Sequence, residues 1–326
     1  MSQINVTNIQ HETGAGSNIT LDASGNVVCA ADVQMASQNG GPLAGFRNQL
    51  TGNFQVWQRG QGPTAVDATG RSYLADRWGV RNTTASGGTP TQQAFFAPNI
   101  TLGYRYTAIG LTGNSYIAHT MEAQDSRYLA GKEITLSVYA SHPVRGDISY
   151  YDASNAGVRI SEVTMTPVPG ESNRYSMTVT VPNVQIGRSL TEAGLEIVFY
   201  FNDQQSPLAD GTYDLWYPQL EIGPVATPPE IRSIANELAL CFRYYRSLPI
   251  LWFNSSGLSA FNDAVQALWF MDIPMRATPR LDYSAEENVF NVNTLQTNTN
   301  CIRVSGNANQ PSAIARLIDF TANAEF

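Results

Sequence analysis

The sequence predicts an all-β protein, and three observations carry that prediction. Charged residues make up only 14% of the 326 residues, whereas about 25% is typical of globular chains. Neutral polar residues and glycine take their place, and aromatic residues reach 10%. Hydrophobic side chains recur with a period of two between Gly- and Asn-rich turns, which is the pattern of half-buried strands.

Residues 46–225 are predicted to form a jelly-roll sandwich. Ile134, Leu136 and Val138 alternate with polar residues. Residues 195–201 are almost continuously apolar and are expected to form a central strand. Turn clusters separate the strands, and many short strands with regular turns favour a sandwich over parallel βαβ units.

One helix is predicted over residues 226–248. Thr227 and Glu230 have the spacing of a capping box, with prolines at the two positions between them. Apolar residues then recur at helical spacing, and Pro249 ends the pattern. Residues 249–326 return to alternation and predict a small C-terminal β-domain.

Residues 1–45 are predicted to be a short, β-rich docking and oligomerisation segment. Its strands carry too few large apolar side chains to close a core, so the segment needs a partner surface. A flexible tail is the alternative. The residues expected to make the assembly contacts are Ile4, Val6, Ile9, Ile19 and Leu21.

The charge pattern excludes several functional classes. The net charge is −8, and the basic residues are scattered singly, which argues against binding to nucleic acid or to an anionic membrane surface. No apolar run is long enough to span a membrane. The first ten residues lack the basic and apolar regions of a signal peptide, so we expect a protein that does not leave the cell by secretion.

Cysteine and histidine spacing indicates no metal site. Cys29, Cys241 and Cys301 are far apart and form no CxxC pair, which favours reduced and mostly buried thiols. Cys241 falls on the apolar face of the predicted helix. The histidines have no metal-ligand spacing, and no phosphate- or dinucleotide-binding loop is found. No cofactor is therefore expected.

Paired carboxylates are the best enzymatic candidates. Sugar hydrolysis needs two acids about 5–9.5 Å apart, and Asp214 and Glu221 lie near one strand while Asp76 follows another. Loop caps and arginine partners are the simpler interpretation of these residues. No catalytic residue is assigned.

A sugar-binding face is the non-enzymatic hypothesis. Sugar rings stack on exposed aromatics, while polar side chains bind the hydroxyls. The alternative is that each candidate is a strand residue with one side in the core. The candidate glycan-binding residues are Tyr104, Arg105, Tyr106, Tyr150 and Tyr151. The tryptophans expected in the core are Trp57, Trp78 and Trp216.

Four stretches carry a resemblance when taken in order. They are LTGNFQVWQRG at 50–60, YLADRW at 73–78, QLEIGPVATPPEIR at 219–232 and ELALCFRYY at 237–245. This order resembles a family of tailed-bacteriophage virion proteins described as tail-fibre or carbohydrate-binding-like structural proteins. The resemblance covers roughly residues 46–326. Pro229 departs from the family pattern, which usually has phenylalanine there.

The resemblance implies a jelly roll, a helix and a small β-domain in a homotrimeric, non-enzymatic fibre or appendage of the virion. Such a protein would assemble in the host cytoplasm, attach to other virion proteins by its N-terminus, and display its β-domains to a host-surface glycan. The alternatives are a capsid-decorating or head-fibre protein without a receptor, a glycan depolymerase, and a carbohydrate-binding module of a secreted enzyme.

Overall fold

Most of the chain is described by a computed structural model. The described residues are 8–9, 19–21, 27–29, 47–60, 62, 71–82, 89–96, 100–111, 113, 115–202, 208–253, 264–283, 285–287, 290–308 and 315–326.

The N-terminal segment contains three short antiparallel strands in the order β1-β2-β3. They are β1 (Asn8–Ile9), β2 (Ile19–Leu21) and β3 (Val27–Cys29). Ile9 pairs with Ile19, and Leu21 pairs with Val27. Ile4 and Val6 lie outside the described residues. The role of this segment in docking stays a prediction.

The described residues of the central part form twelve strands. They are β4 (Ser72–Tyr73), β5 (Trp78–Asn82), β6 (Thr89–Phe96), β7 (Ile100–Ala108), β8 (Ser115–Glu122), β9 (Glu133–Ala140), β10 (Arg145–Tyr151), β11 (Gly157–Thr164), β12 (Thr166–Pro167), β13 (Arg174–Thr180), β14 (Ala193–Tyr200) and β15 (Gly211–Ile222). A helical turn, α1 (Ala123–Ser126), and a 3₁₀ turn, Arg127–Leu129, follow β8.

These strands pair into two six-stranded antiparallel sheets. The first has the order β11-β10-β14-β8-β5-β4, and the second has the order β12-β13-β9-β15-β7-β6. Alternate side chains of both sheets enter one core, which includes Trp78, Phe199, Leu136 and Leu215. The predicted all-β sandwich is confirmed.

The core contains two of the three tryptophans expected there. Trp57 and Trp78 are buried, and the Trp78 indole packs on Phe199 with ring centroids 5.8 Å apart. Trp216 is half-buried and lies on the outer face of the second sheet, where it stacks on Tyr139. The prediction that Trp216 lies in the core is wrong. Leu215 faces the core, and Trp216, the next residue on the strand, points to the opposite face.

The helix is shorter than predicted. It runs over α2 (Ile234–Cys241), and its N-cap is Ser233, whose hydroxyl accepts from the Asn236 N–H. The expected capping-box residues bind the sandwich instead. The Thr227 N–H donates to Glu221 at 2.9 Å, and the Glu230 N–H donates to the Gln219 side chain at 2.7 Å.

The C-terminal part continues as two further sheets. Its strands are β16 (Tyr245–Phe253), β17 (Ala264–Phe270), β18 (Arg280–Asp282), β19 (Ala285–Glu287), β20 (Phe290–Thr297), β21 (Cys301–Ala308) and β22 (Ala315–Asn323). Strand β22 pairs with β16, β18 and β19, while β21 pairs with β17 and β20. Pro249 therefore lies inside a strand. Cys241 is a buried free thiol, and Cys301 is also free.

Buried ion pairs join the sandwich to the C-terminal part. The Arg77 guanidinium donates to Glu325 at 2.7 Å and to the Thr51 hydroxyl at 3.2 Å, and it stacks 3.4 Å from the Tyr244 ring centroid. The Arg243 guanidinium makes two bonds to the Glu122 carboxylate, at 2.6 and 2.8 Å.

A second buried group ties the helix to the loop before β4. The Glu237 carboxylate accepts from the Gly52 N–H at 2.9 Å and from Arg232 at 3.0 Å. Arg232 also donates to the Leu50 carbonyl at 2.9 Å. These side chains belong to the stretches that carry the family resemblance, so those stretches build the scaffold.

The buried Asp76 carboxyl predicts a pH dependence of stability. Burial raises its pKa to about 7, against the opposing pull of Arg59. The folded protein therefore holds this proton more tightly than the unfolded chain does. The stabilisation is complete below the unfolded pKa near 4 and is lost as the pH rises through 7. In the wild type the full loss is on the order of 4 kcal/mol.

Asp76→Asn should remove this pH dependence. We expect thermal melts between pH 4.5 and 7.5 to show the wild type losing stability relative to the variant as the pH rises. Asp282→Asn, at an exposed position, is the matched control. Parallel pH profiles of the wild type and Asp76→Asn would contradict the raised pKa.

Candidate functional site

A row of small and medium-sized residues crosses the outer face of the first sheet. Strand register aligns Gly79 with Ala118 and Ala118 with Val198, so three small or medium residues lie side by side on three strands. Ala118 is only 1% exposed and Val198 6%, although both point away from the core. Larger side chains on either side therefore shield a recessed floor. We call this feature the cross-strand groove.

An aromatic wall borders the groove on one side. Tyr116 and Tyr200 are directly paired across β8 and β14, two residues along the strands from the floor. Their ring centroids are 5.5 Å apart with planes inclined at 56°. The Arg145 guanidinium lies 3.9 Å from the Tyr200 ring centroid. Both tyrosines are half-buried.

A polar wall borders the other side and is organised by Glu196. This carboxylate accepts from the Thr120 hydroxyl at 3.2 Å, from the Tyr151 hydroxyl at 3.2 Å and from Arg71. Arg71 also donates to Thr120 at 2.9 Å. Burial, followed by the negative charge of Glu196, raises the pKa of Tyr151, so its hydroxyl stays protonated and donates.

Charged residues close the β10–β11 end of the groove. Arg159 contacts Asp147 at 2.8 Å and Glu162 at 2.7 Å, and these two acids face each other across the strands. Arg145 contacts Glu162 at 3.0 Å. Burial raises the pKa of Asp147 above its ordinary value. The Arg159 side chain is 58% exposed and lies at the rim.

At the opposite end, on strand β5, Arg71 and Tyr73 lie over Gly79. A side chain at Gly79 would meet Arg71 and the Tyr73 ring, each at about 3.1 Å. Glycine thus allows Arg71 and Tyr73 to lie across strand β5. Neighbouring strands are about 4.8 Å apart, so the part of the floor between the two closed ends, on β8 and β14, spans roughly 5 Å.

Two of the predicted glycan-binding tyrosines are in the core. Tyr104 is 1% exposed and Tyr106 0%, and both rings stack on Phe201, at 6.1 and 4.4 Å between centroids. The prediction is wrong for them because their β7 positions face inward. Arg105 faces outward on the second sheet and forms a two-bond ion pair with Asp214, at 2.7 and 2.8 Å.

The neighbouring pair on β10 is divided between the two sides of the sheet. Tyr150 packs against the core, whereas Tyr151 reaches the polar wall of the groove. The two tyrosines lie on opposite sides because alternate residues of a strand point to opposite faces. For Tyr150 and for Tyr151 the glycan-binding role stays a prediction.

Sequence reasoning missed most of the groove. The aromatic wall and Glu196 were not singled out, although a signal exists in β14. Glu196 and Tyr200 alternate with the buried residues Leu195, Ile197 and Phe199. Strict period-two counting within the apolar run 195–201 would have placed both on the outer face.

No two of the three carboxylates considered for sugar hydrolysis form a free pair. Asp76 is buried beside Arg59 and Gln58. Glu221 is buried and accepts from Thr227, and Asp214 lies on the second sheet with Arg105. Each carboxylate is engaged in an internal contact.

No group of three or more potential metal ligands occurs among the described residues. Within the same part of the chain, no helix has the length and apolarity needed to cross a membrane.

Known proteins show only low similarity to this chain. No family model and no curated protein matches the sequence. Among solved structures, the chain is similar to the enzymatically active domain of tailspike protein 4 of bacteriophage CBA120, with 14% identity and a TM-score of 0.36. The match covers 54% of this chain and 21% of the tailspike chain.

Carbohydrate-binding modules are also among the similar structures. The N-terminal CBM22-1–CBM22-2 tandem domain of Xyn10C from Paenibacillus barcinonensis matches at 10% identity and a TM-score of 0.33, over 89% of this chain and 92% of that one. The C-terminal family 22 carbohydrate-binding module of Xyn10B from Clostridium thermocellum matches at 11% identity and a TM-score of 0.32, over 49% and 99%.

Proposed function

We propose that the protein binds a glycan in the cross-strand groove. The observation that carries this proposal is the pairing of an aromatic wall, Tyr116 and Tyr200, with a polar wall organised by Glu196 across a recessed floor. Aromatic rings offer the apolar surface on which a sugar ring stacks. Fixed carboxylate, guanidinium and hydroxyl groups offer both acceptors and donors to sugar hydroxyls.

The charge of the groove supports a neutral or weakly charged glycan. Arg145 and Arg159 are matched by Asp147 and Glu162 in direct contacts, so neither sign dominates the β10–β11 end. A polyanion would meet these acids and a protein of net charge −8. A chain of hydroxyl groups would instead exchange hydrogen bonds with both kinds of side chain.

Tyr200→Ala tests the proposal. We expect the wild type to bind at least one of cellohexaose, xylohexaose, maltohexaose and chitohexaose in calorimetric titration. The variant should bind that ligand about 10-fold or more weakly, because losing 1.4 kcal/mol of stacking corresponds to a factor of ten. The ligand should keep its length during incubation, since we propose binding without hydrolysis.

Tyr128→Ala is the matched control, because Tyr128 is an exposed tyrosine outside the groove. It should bind as the wild type does. Circular dichroism of each variant checks that the fold is kept. Wild-type affinity with unchanged stoichiometry in Tyr200→Ala, or no binding of any hexasaccharide by the wild type, would refute the groove as a glycan site. Shortened oligosaccharides would favour the depolymerase alternative.

The biological setting that we propose is a homotrimeric fibre or appendage of a phage virion. The family resemblance of the four sequence stretches supports this setting. The three short N-terminal strands would dock it to other virion proteins, and several copies would raise the avidity of weak glycan sites. Light scattering tests the trimer, and binding to host cells separates an adhesin from a capsid-decorating protein without a receptor.

A further inference from the structure

The outer face of the second sheet carries a cluster of three aromatic side chains. Trp216 and Tyr139 are directly paired across β15 and β9, and their rings are nearly parallel, with centroids 5.7 Å apart. Tyr217 meets the Tyr139 ring edge-on at 6.4 Å. All three are half-buried. We call Tyr139, Trp216 and Tyr217 the aromatic cluster.

A β-bulge produces this cluster. Leu215 and Leu220 both face the core although they are five residues apart, which a regular strand with a period of two would not allow. The register shifts between Trp216 and Gln219, and Tyr217 has a φ of 49°. The extra residue lets Trp216 and Tyr217 both contact Tyr139.

The bulge has a conformational cost. A left-handed backbone is unusual for a residue with a large side chain and costs about 1 kcal/mol or more. Bulges and strained backbone are frequent where a protein re-aims side chains for binding. The local strain at Tyr217 thus accompanies a concentration of aromatic surface on one outer face.

Fixed polar groups flank the aromatic cluster. Asp214 lies two residues before Trp216 on the same face and is held by Arg105 in a two-bond pair. On the other side, the Tyr139 hydroxyl donates to Glu171, and the Arg174 guanidinium lies 5.5 Å from the Tyr139 ring centroid. Aromatic surface bordered by fixed donors and acceptors suits a sugar chain better than an apolar protein partner.

We propose that the aromatic cluster is a second glycan-binding site, which takes a neutral sugar chain. This inference rests on the proposed function and extends it. The cluster and the cross-strand groove lie on the outer faces of opposite sheets of one sandwich, so a single chain would hold two glycan strands at once. Bivalent binding of this kind raises avidity for a dense glycan surface without any new contact.

Binding stoichiometry tests the second site. The same four hexasaccharides are titrated calorimetrically into the wild type, Trp216→Ala and Tyr200→Ala. We expect two hexasaccharides per wild-type chain and one per chain for each variant. Trp216→Phe keeps a ring at the position and should restore the second site, whereas a general folding defect would also reduce binding in the groove.

The outcomes separate the two proposals. One ligand per wild-type chain, lost in Tyr200→Ala and unchanged in Trp216→Ala, would overturn the second site and leave the groove standing. Loss in Trp216→Ala alone would support the cluster and refute the groove. No binding by the wild type refutes both. A change of oligomeric state in Trp216→Ala by light scattering would show that a second copy covers the cluster, and would overturn this inference.

Discussion

Replacing Arg77 by methionine is expected to lower the free energy of unfolding by about 3–5 kcal/mol, because breaking a buried ion pair leaves its partner uncompensated. Arg77 is 1% exposed and supplies the bonds to Glu325 and to the Thr51 hydroxyl. Methionine keeps much of the packing volume but none of the donors. The effect is measured as a shift in thermal and denaturant-induced unfolding.

An exposed ion pair provides the control for Arg77. Arg188 contacts Glu192, four residues further along the chain, and the arginine side chain is 60% exposed. Arg188→Met should therefore leave stability almost unchanged. Similar effects of the two substitutions would contradict the scaffold role of Arg77. Adding Glu325→Gln to Arg77→Met should recover part of the lost stability, since it removes a buried charge whose remaining ion-pair contact is Arg59 at 3.6 Å.

Replacing Gly52 by alanine is expected to cost about 3–5 kcal/mol of unfolding free energy from backbone strain and overpacking together. Gly52 has a φ of +71°, and an added Cβ would lie 2.3 Å from the Asp76 carbonyl oxygen. The loop would have to move. That movement would pull its N–H away from Glu237 and its carbonyl away from the Trp78 indole.

Gly170 is the matched control for Gly52. It also has a positive φ, +80°, but an added Cβ would meet nothing within 4 Å. Gly170→Ala should therefore show the backbone strain alone, about 1–2 kcal/mol. Thermal melts of both variants give the comparison. Equal losses would mean that close packing against Asp76 contributes nothing at Gly52.

Gly52 and Arg77 belong to the stretches that carry the sequence resemblance. In the interior, Glu237 binds Gly52 and Arg232. Arg232 also binds the Leu50 carbonyl, and Arg77 binds the Thr51 hydroxyl next to Gly52. None of them lines the cross-strand groove. The stretches that carry the resemblance therefore lie in the scaffold of this chain, while the residues proposed to bind glycan lie outside them. Proteins with the same scaffold can carry different groove residues and bind different ligands.

Strand positions were predictable where the pattern was local. The alternation at Ile134, Leu136 and Val138 correctly placed β9 with these side chains in the core. The helix start was not predictable from its capping spacing, because Thr227 and Glu230 found partners 6 and 11 residues earlier on β15. Hydrogen bonds to the sandwich overrode a local signal at that point.

The candidate site likewise combines a residue that the sequence pattern indicated with residues that only strand pairing brings together. Tyr151 was singled out from its sequence, but Tyr116 and Tyr200 become neighbours only through the pairing of β8 with β14, which are about 80 residues apart in the chain. The bulge that gathers Trp216 and Tyr217 is likewise a matter of register.

The amino-acid pattern alone determined that this is an all-β protein with strands of alternating faces, because a period of two is a local property of the chain. Tertiary structure decided which tyrosines face outward together, which carboxylate organises them and where the helix begins. Those features depend on which strands pair and in what register, and the free energy that selects the register is spread over contacts between residues far apart in sequence.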